Sequence, residues 1–369
     1  MSGEPRLLIV GGGFAGVWAA ITAAKTAAAY GPVRIDLVNP DDRFVPRPRL
    51  YERAPGDTTV PLQDILGPLG VGHIKARVTG IDADAKVVTA TDSQGDEEQL
   101  TYDRLILAAG SRLNRPPIDD GHLDDIDTID GAETLDRRLA ELDAGATVVV
   151  VGAGFAGIEL ATELPSRAPS ANVMLLERSD QIGAGLGAEA RPQIESALDE
   201  LKVETRTGIT VEAYDGTTLE LSDGSSMAAD IVVWTAGISA SPLTAMVSDD
   251  LDRLGRLPVD QCLRVTGVSS VFAAGDTAAP LDEAGQVVAQ SAQHAIPQGA
   301  CAGQNAVADL FGGELAELQT LPYGTCLDLG EAGAVFTEGW DRRLVLVGDE
   351  AKALKRDINT VWIYPPTLG

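Results

Sequence analysis

A short apolar strand, a Gly-x-Gly-x-x-Gly turn and an Ala-rich helix follow one another twice in this chain of 369 residues. Ile9-Val10-Gly11-Gly12-Gly13-Phe14-Ala15-Gly16 returns as Val150-Val151-Gly152-Ala153-Gly154-Phe155-Ala156-Gly157, with Gly-Phe-Ala-Gly identical in both copies. Such a turn needs glycine for backbone reasons. Gly11 and Gly152 permit the tight bend, Gly13 and Gly154 let the main chain approach a pyrophosphate, and Gly16 and Gly157 let helix and strand pack closely. The phosphates then sit at the helix N-terminus, where free N–H groups and the helix dipole favour negative charge. One copy is weak evidence, because glycines in a strand–helix turn also serve structure alone. Two copies in matching context point to two dinucleotide sites.

The strand that follows each turn separates the two sites. After the second copy, Val173-Met174-Leu175-Leu176 ends at Glu177, where an acidic side chain accepts hydrogen bonds from ribose hydroxyls. That favours NADH, with NADPH kept open by the neighbouring Arg178, whose guanidinium can swing toward a 2′-phosphate. After the first copy, Ile35-Asp36-Leu37-Val38 ends at Asn39, which offers a ribose a hydrogen bond without the charge. Two further strands run into small-residue turns: Tyr102 to Ser111, through Ala109 and Gly110, and Thr266 to Asp276, through Gly275. Asp276 is placed to accept from ribityl hydroxyls, so the first site reads as one for FAD.

Composition narrows the partners. Lys+Arg 28 against Asp+Glu 55 give a net charge of −27, which repels nucleic acid and anionic lipid, since both reward clustered cations. Cys262, Cys301 and Cys326 are too scattered for a disulfide framework or a metal site, and fit a cytoplasmic location. Leu7 to Ala24 carries no charge and superficially resembles a membrane span, but its glycine spacing reads as strand, turn and helix, so no integral membrane segment is expected.

On both glycine turns, Ala108-Ala109-Gly110, Trp234-Thr235-Ala236-Gly237 and Phe272-Ala273-Ala274-Gly275-Asp276, the chain resembles the two-dinucleotide-binding pyridine nucleotide:FAD oxidoreductases. It most resembles the type II NADH:quinone dehydrogenase branch. The resemblance implies an α/β fold of two Rossmann-like domains: an FAD domain over residues 1–115 and 255–315, an inserted NAD(P)H domain over 116–254, and a C-terminal cap over 316–369. It also implies hydride transfer from NADH to FAD, then electron transfer to a quinone-like small acceptor. The cofactor residues it implies are Gly11, Gly13, Phe14, Ala15, Gly16, Asn39, Arg49, Ala109, Gly110, Gly275 and Asp276 for FAD, and Gly152, Gly154, Gly157, Glu177 and Gly237 for the nicotinamide nucleotide.

Catalytic roles follow from the same resemblance. Glu159, one turn into the second glycine helix, matches a glutamate near the nicotinamide–flavin stack; Trp18 holds that place in the first copy. Ala292-Gln293-His294-Ala295-Ile296-Pro297-Gln298-Gly299 looks like the branch's Ala-Gln-x-Ala-x-Gln signature, with the second glutamine displaced to Gln298. Gln293 can then bond an acceptor carbonyl, and His294 can supply a proton near neutral pH. Phe44 to Gly56 looks like the flavin-side loop, yet carries Arg47, Arg49 and Arg53, with Arg43 just before it. Pairing with carboxylates and selection of an anionic acceptor both remain open for these arginines. No cysteine sits where a thiol relay would need it. A small-metabolite oxidase and a non-turnover redox sensor are the alternative readings.

The linker aspartates Asp119, Asp120, Asp124, Asp125, Asp127 and Asp130 are expected in solvent. Ala351, Leu354, Ile358, Val361 and Trp362 recur at helical spacing and are expected to face the core.

Overall fold

The computed structural model describes residues 4–118, 121–320 and 322–366. Its first unit starts with β1 (Arg6–Val10), α1 (Phe14–Tyr30), β2 (Arg34–Asn39), β3 (Gly72–Lys75) and β4 (Arg104–Leu107), then leaves through a short strand β5 (Ser111–Leu113). The second unit follows as β6 (Thr147–Val151), α2 (Phe155–Arg167), β7 (Asn172–Leu176), β8 (Glu204–Arg206) and β9 (Ile231–Trp234), and the chain returns through β10 (Ile238–Ala240). It then adds β11 (Val271–Ala273) and α3 (Ala292–Leu310). The end is a three-stranded meander, β12 (Gly324–Asp328), β13 (Ala334–Glu338) and β14 (Arg343–Val347), carrying α4 (Gly348–Asp357).

Two parallel sheets result. The first has the order β11-β4-β1-β2-β3 and the second β8-β7-β6-β9. In each, the strand before the glycine turn is flanked on one side by the next strand of its unit and on the other by a much later one. The chain order therefore reverses at that strand, and the crevice beyond its C-terminal end is where open α/β sheets bind ligands. β5 and β10 pair antiparallel as a two-stranded ribbon between the units.

Burial explains the apolar stretch near the N-terminus. Leu7, Leu8 and Ile9 are completely buried, because both faces of a parallel sheet are covered. The uncharged run is thus β1, its turn and the start of α1. Among the described residues no helix is long and apolar enough to cross a membrane. α1 and α3 pack back to back at two glycines, Gly299 and Gly303. A Cβ there would lie 2.2 Å from the Ala15 and Ala19 carbonyl oxygens respectively.

Two expectations are corrected. The linker is not uniformly in solvent: Asp124 and Asp125 are buried, ion-paired with Arg138 and Arg115, and Asp124 bridges to Val233 on the second sheet. Asp127 is half-buried and Asp130 exposed, while Asp119 and Asp120 lie outside the described residues. The C-terminal stripe also divides. Ala351 is buried, but Val361 and Trp362 are 63% and 60% exposed, because a π-turn at Ile358–Trp362 ends the regular spacing.

Candidate functional site

The two turns share one backbone. Gly11 and Gly152 take φ of +113° and +107°, a region that side chains disfavour. At Gly16 and Gly157 a Cβ would meet the carbonyl oxygen of Gly11 or Gly152 at 1.8 Å in both copies, so close packing forbids any side chain. At Gly13 and Gly154, in contrast, a Cβ would meet nothing within 4 Å. Open space at this position, beside the first N–H groups of α1 and α2, fits a dinucleotide pyrophosphate at each turn.

Side chains distinguish the copies. In the first, the N–H of Gly12 donates to Asn39 Oδ1 at 2.9 Å. In the second, the N–H of Ala153 donates to Glu177 Oε2 at 2.7 Å, and Ser179 N–H holds Oε1 at 2.8 Å. Glu177 is therefore anchored beside the turn with lone pairs left for ribose hydroxyls. Phe14 and Trp18 pack with Phe44 over the first helix, at ring distances of 5.1 and 6.0 Å from it. Ala15 lies where α3 and Gly275 approach α1.

Around the first turn, Ala109 and Gly110 follow β4 directly, with the Ala108 carbonyl against Gly11. Asp276 follows β11 and accepts a 2.6 Å hydrogen bond from the Ser111 hydroxyl. Its neighbour Gly275 donates its N–H to Gln298 Oε1 at 2.7 Å. The displaced glutamine is buried and supports the Gly-Asp turn. Gly237 follows Ala236, which packs on Gly152, and its carbonyl accepts the Asn114 N–H at the start of the ribbon. Thr235 and Ala236 are the residues that touch Gly152.

Glu159 is 6% exposed and faces the C-terminal segment. Its carboxylate pairs with Lys355 Nζ at 2.7 Å and accepts the Asp328 N–H. Burial pushes the Glu159 carboxyl above its ordinary range, against the pull of Lys355. Burial alone would discharge Lys355, but Glu159 and Asp328 hold its ammonium protonated. Beside this pair, Asp328 accepts the Tyr51 hydroxyl at 2.9 Å and pairs with Lys352. Tyr51 is driven well above the ordinary phenol range by burial and by the surrounding carboxylates. Lys355, Lys352 and Asn359 were not singled out in the sequence. They sit on α4 and the turn after it, without a motif, and only the fold brings them to Glu159 and Tyr51.

Gln293 and His294 start α3 but turn toward their own support. Gln293 donates to the Pro322 carbonyl at 3.2 Å. His294 is 4% exposed; its Nδ1 lies 2.9 Å from Ser291 Oγ and 3.1 Å from the Ala289 carbonyl oxygen, and its ring stacks on Tyr323 at 5.3 Å. Burial lowers its pKa from 6.5, so the ring is neutral at pH 7. The Ser291 and Ala289 contacts tie the ring to the start of α3.

The arginines part company. Arg43 pairs with Asp41 and Glu133, Arg49 with Glu52 and the Tyr364 hydroxyl, and Arg53 donates to the Ser166 carbonyl. Arg49, expected at the cofactor, is thus engaged by its own loop and the C-terminal segment. Arg47 alone among the four turns to Ser111 and Asp276.

Residues 5–299 match the pattern of the pyridine nucleotide-disulphide oxidoreductases. The chain belongs to that family. As a member it is a flavoprotein oxidoreductase that uses FAD and a nicotinamide dinucleotide. It is 44% identical to an NADH dehydrogenase-like protein of Mycobacterium tuberculosis, over 99% of this chain and 95% of that protein. It is 31% identical to a demethylphylloquinone reductase of Synechocystis, covering 90% and 87%. Among solved structures, NDH2 from Plasmodium falciparum in complex with NADH superposes with a TM-score of 0.81 at 13% identity, covering 98% of this chain and 95% of that one. The sulfide:quinone oxidoreductase of Aquifex aeolicus gives 0.79 at 19% identity, covering 96% and 90%. These two likenesses concern the fold.

Proposed function

We propose that this oxidoreductase takes its electrons from NADH and delivers them to a quinone-like small acceptor, with FAD at the first turn and NADH at the second. The observation that carries the assignment is the pair of matched turns whose anchoring side chains differ, Asn39 against Glu177. Bound FAD would accept hydride from NADH and return two electrons to the acceptor. The chain's own residues do the rest. The turns hold the pyrophosphates, Asp276 meets the ribityl chain, and Glu177 accepts from the adenosine ribose and repels a 2′-phosphate. Glu159, one turn beyond the second glycine turn and paired with Lys355, supplies a fixed charge pair near the nicotinamide–flavin stack. The relatives named as NADH dehydrogenase-like and as a quinone reductase support this reading.

No thiol relay belongs to the proposal. Burial pushes Cys301 and Cys326 up to about 12 and raises Cys262, so none supplies thiolate at neutral pH. The domain division at 115, 255 and 315 and a cytoplasmic location complete the proposal. The test is anaerobic reduction of the flavoprotein with NADH, followed by mixing with a panel of quinones. Reoxidation by quinones within the turnover time is expected; a reduced protein inert to all of them would refute the acceptor assignment.

A further inference from the structure

Arg47 stands at a junction. Its Nη1 is 3.1 Å from Ser111 Oγ and 3.8 Å from Asp276 Oδ2, and its Nη2 pairs with Asp127. Ser111 is the first residue of the ribbon strand β5, and its hydroxyl donates to Asp276 at 2.6 Å. Asp127 is fixed in turn, since its Oδ2 accepts the Leu113 N–H at 3.0 Å and its own N–H donates to Asp125. Two half-buried carboxylates, Asp127 and Asp276, therefore flank one guanidinium, with the Ser111 hydroxyl between.

We propose that Arg47 is a positioning residue for the flavin: it holds Ser111 and Asp276 in the arrangement that grips the ribityl chain. This rests on the assignment of FAD to the first turn. Without the guanidinium, Asp127 and Asp276 would repel each other across Ser111, and Asp276 would lose the orientation that aims it at hydroxyl donors. A lysine keeps the charge but has no planar fork to reach Ser111 and Asp127 together. Of the four arginines, Arg47 is the only one whose bonds reach a residue assigned to a cofactor; Arg53, tied to the Ser166 carbonyl, serves as the control.

The experiment is FAD release from the purified holoprotein, read as recovered flavin fluorescence on serial dilution. Arg47→Met is expected to raise the FAD dissociation constant by about tenfold or more. Arg47→Lys should restore part of that loss, and Arg53→Ala should stay within about twofold of the parent. Should Arg47→Met fail to fold, Asp127→Asn reads the same device from its other side and should weaken FAD by roughly threefold. Unchanged retention in Arg47→Met, or in Asp127→Asn where that substitute is used, overturns the proposal. Asp276→Ala separates the two levels. If it sheds FAD while the Arg47 and Asp127 variants do not, only the role of Arg47 fails; if it too keeps FAD unchanged, the flavin assignment itself fails.

Discussion

The two glycine turns are alike in backbone and unlike in everything attached to it. Each bends at a positive-φ glycine, and each closes on a glycine whose Cβ would collide at 1.8 Å with the carbonyl of the first. Yet the first is served by neutral Asn39 and an aromatic group, Phe14, Trp18 and Phe44. The second is served by Glu177 and by a buried ion pair, Glu159 with Lys355. The difference teaches a division of labour: the glycines fix the shape of the turn, and the side chains at the strand end and one helical turn beyond give each copy its own polarity and charge.

The largest effect should come from breaking the charged surroundings of the second copy. Lys355→Met leaves Glu159 buried without its partner, which costs about 3–5 kcal/mol. In thermal unfolding the midpoint is expected to fall by roughly 6 °C or more. The corresponding Trp18→Met in the first copy removes packing without stranding a charge, and should cost less. Equal losses would remove the contrast between the copies.

A smaller effect sharpens the comparison on the side of the first turn, where α3 packs against α1. His294 has its folded pKa depressed below 6.5 by burial, so the unfolded chain binds its proton more readily. Its contribution to stability is fully present above pH 6.5 and is lost as the pH falls below that value. The melting temperature of His294→Gln should therefore decline less steeply than that of the parent between about pH 6.5 and 5. Parallel declines would show that the imidazole does not stay neutral in the fold.

The fold was legible because its constraints are local and steric. Gly11, Gly16, Gly152 and Gly157 occupy positions where no other residue fits, and such requirements appear in a sequence directly. Glu177 was legible for a related reason, as the end of the strand after a turn. What stayed hidden depends on distant partners. Glu159 meets Asp328 across 169 positions, and Arg49 meets Tyr364 across 315. No spacing rule announces such contacts. His294 and Gln293 were legible as a motif, but not the contacts that tie them to Ala289 and Pro322 at the start of α3.

The most direct test of the contrast between the turns is stopped-flow reduction of the flavin by NADH and by NADPH, in the parent and in Glu177→Gln. NADH should be favoured by about tenfold or more in the parent if, as proposed, the Glu177 carboxylate accepts from a ribose and repels a 2′-phosphate; the preference should then shrink several-fold in the variant. Equal use of both donors by the parent, or a preference untouched by Glu177→Gln, would contradict the account.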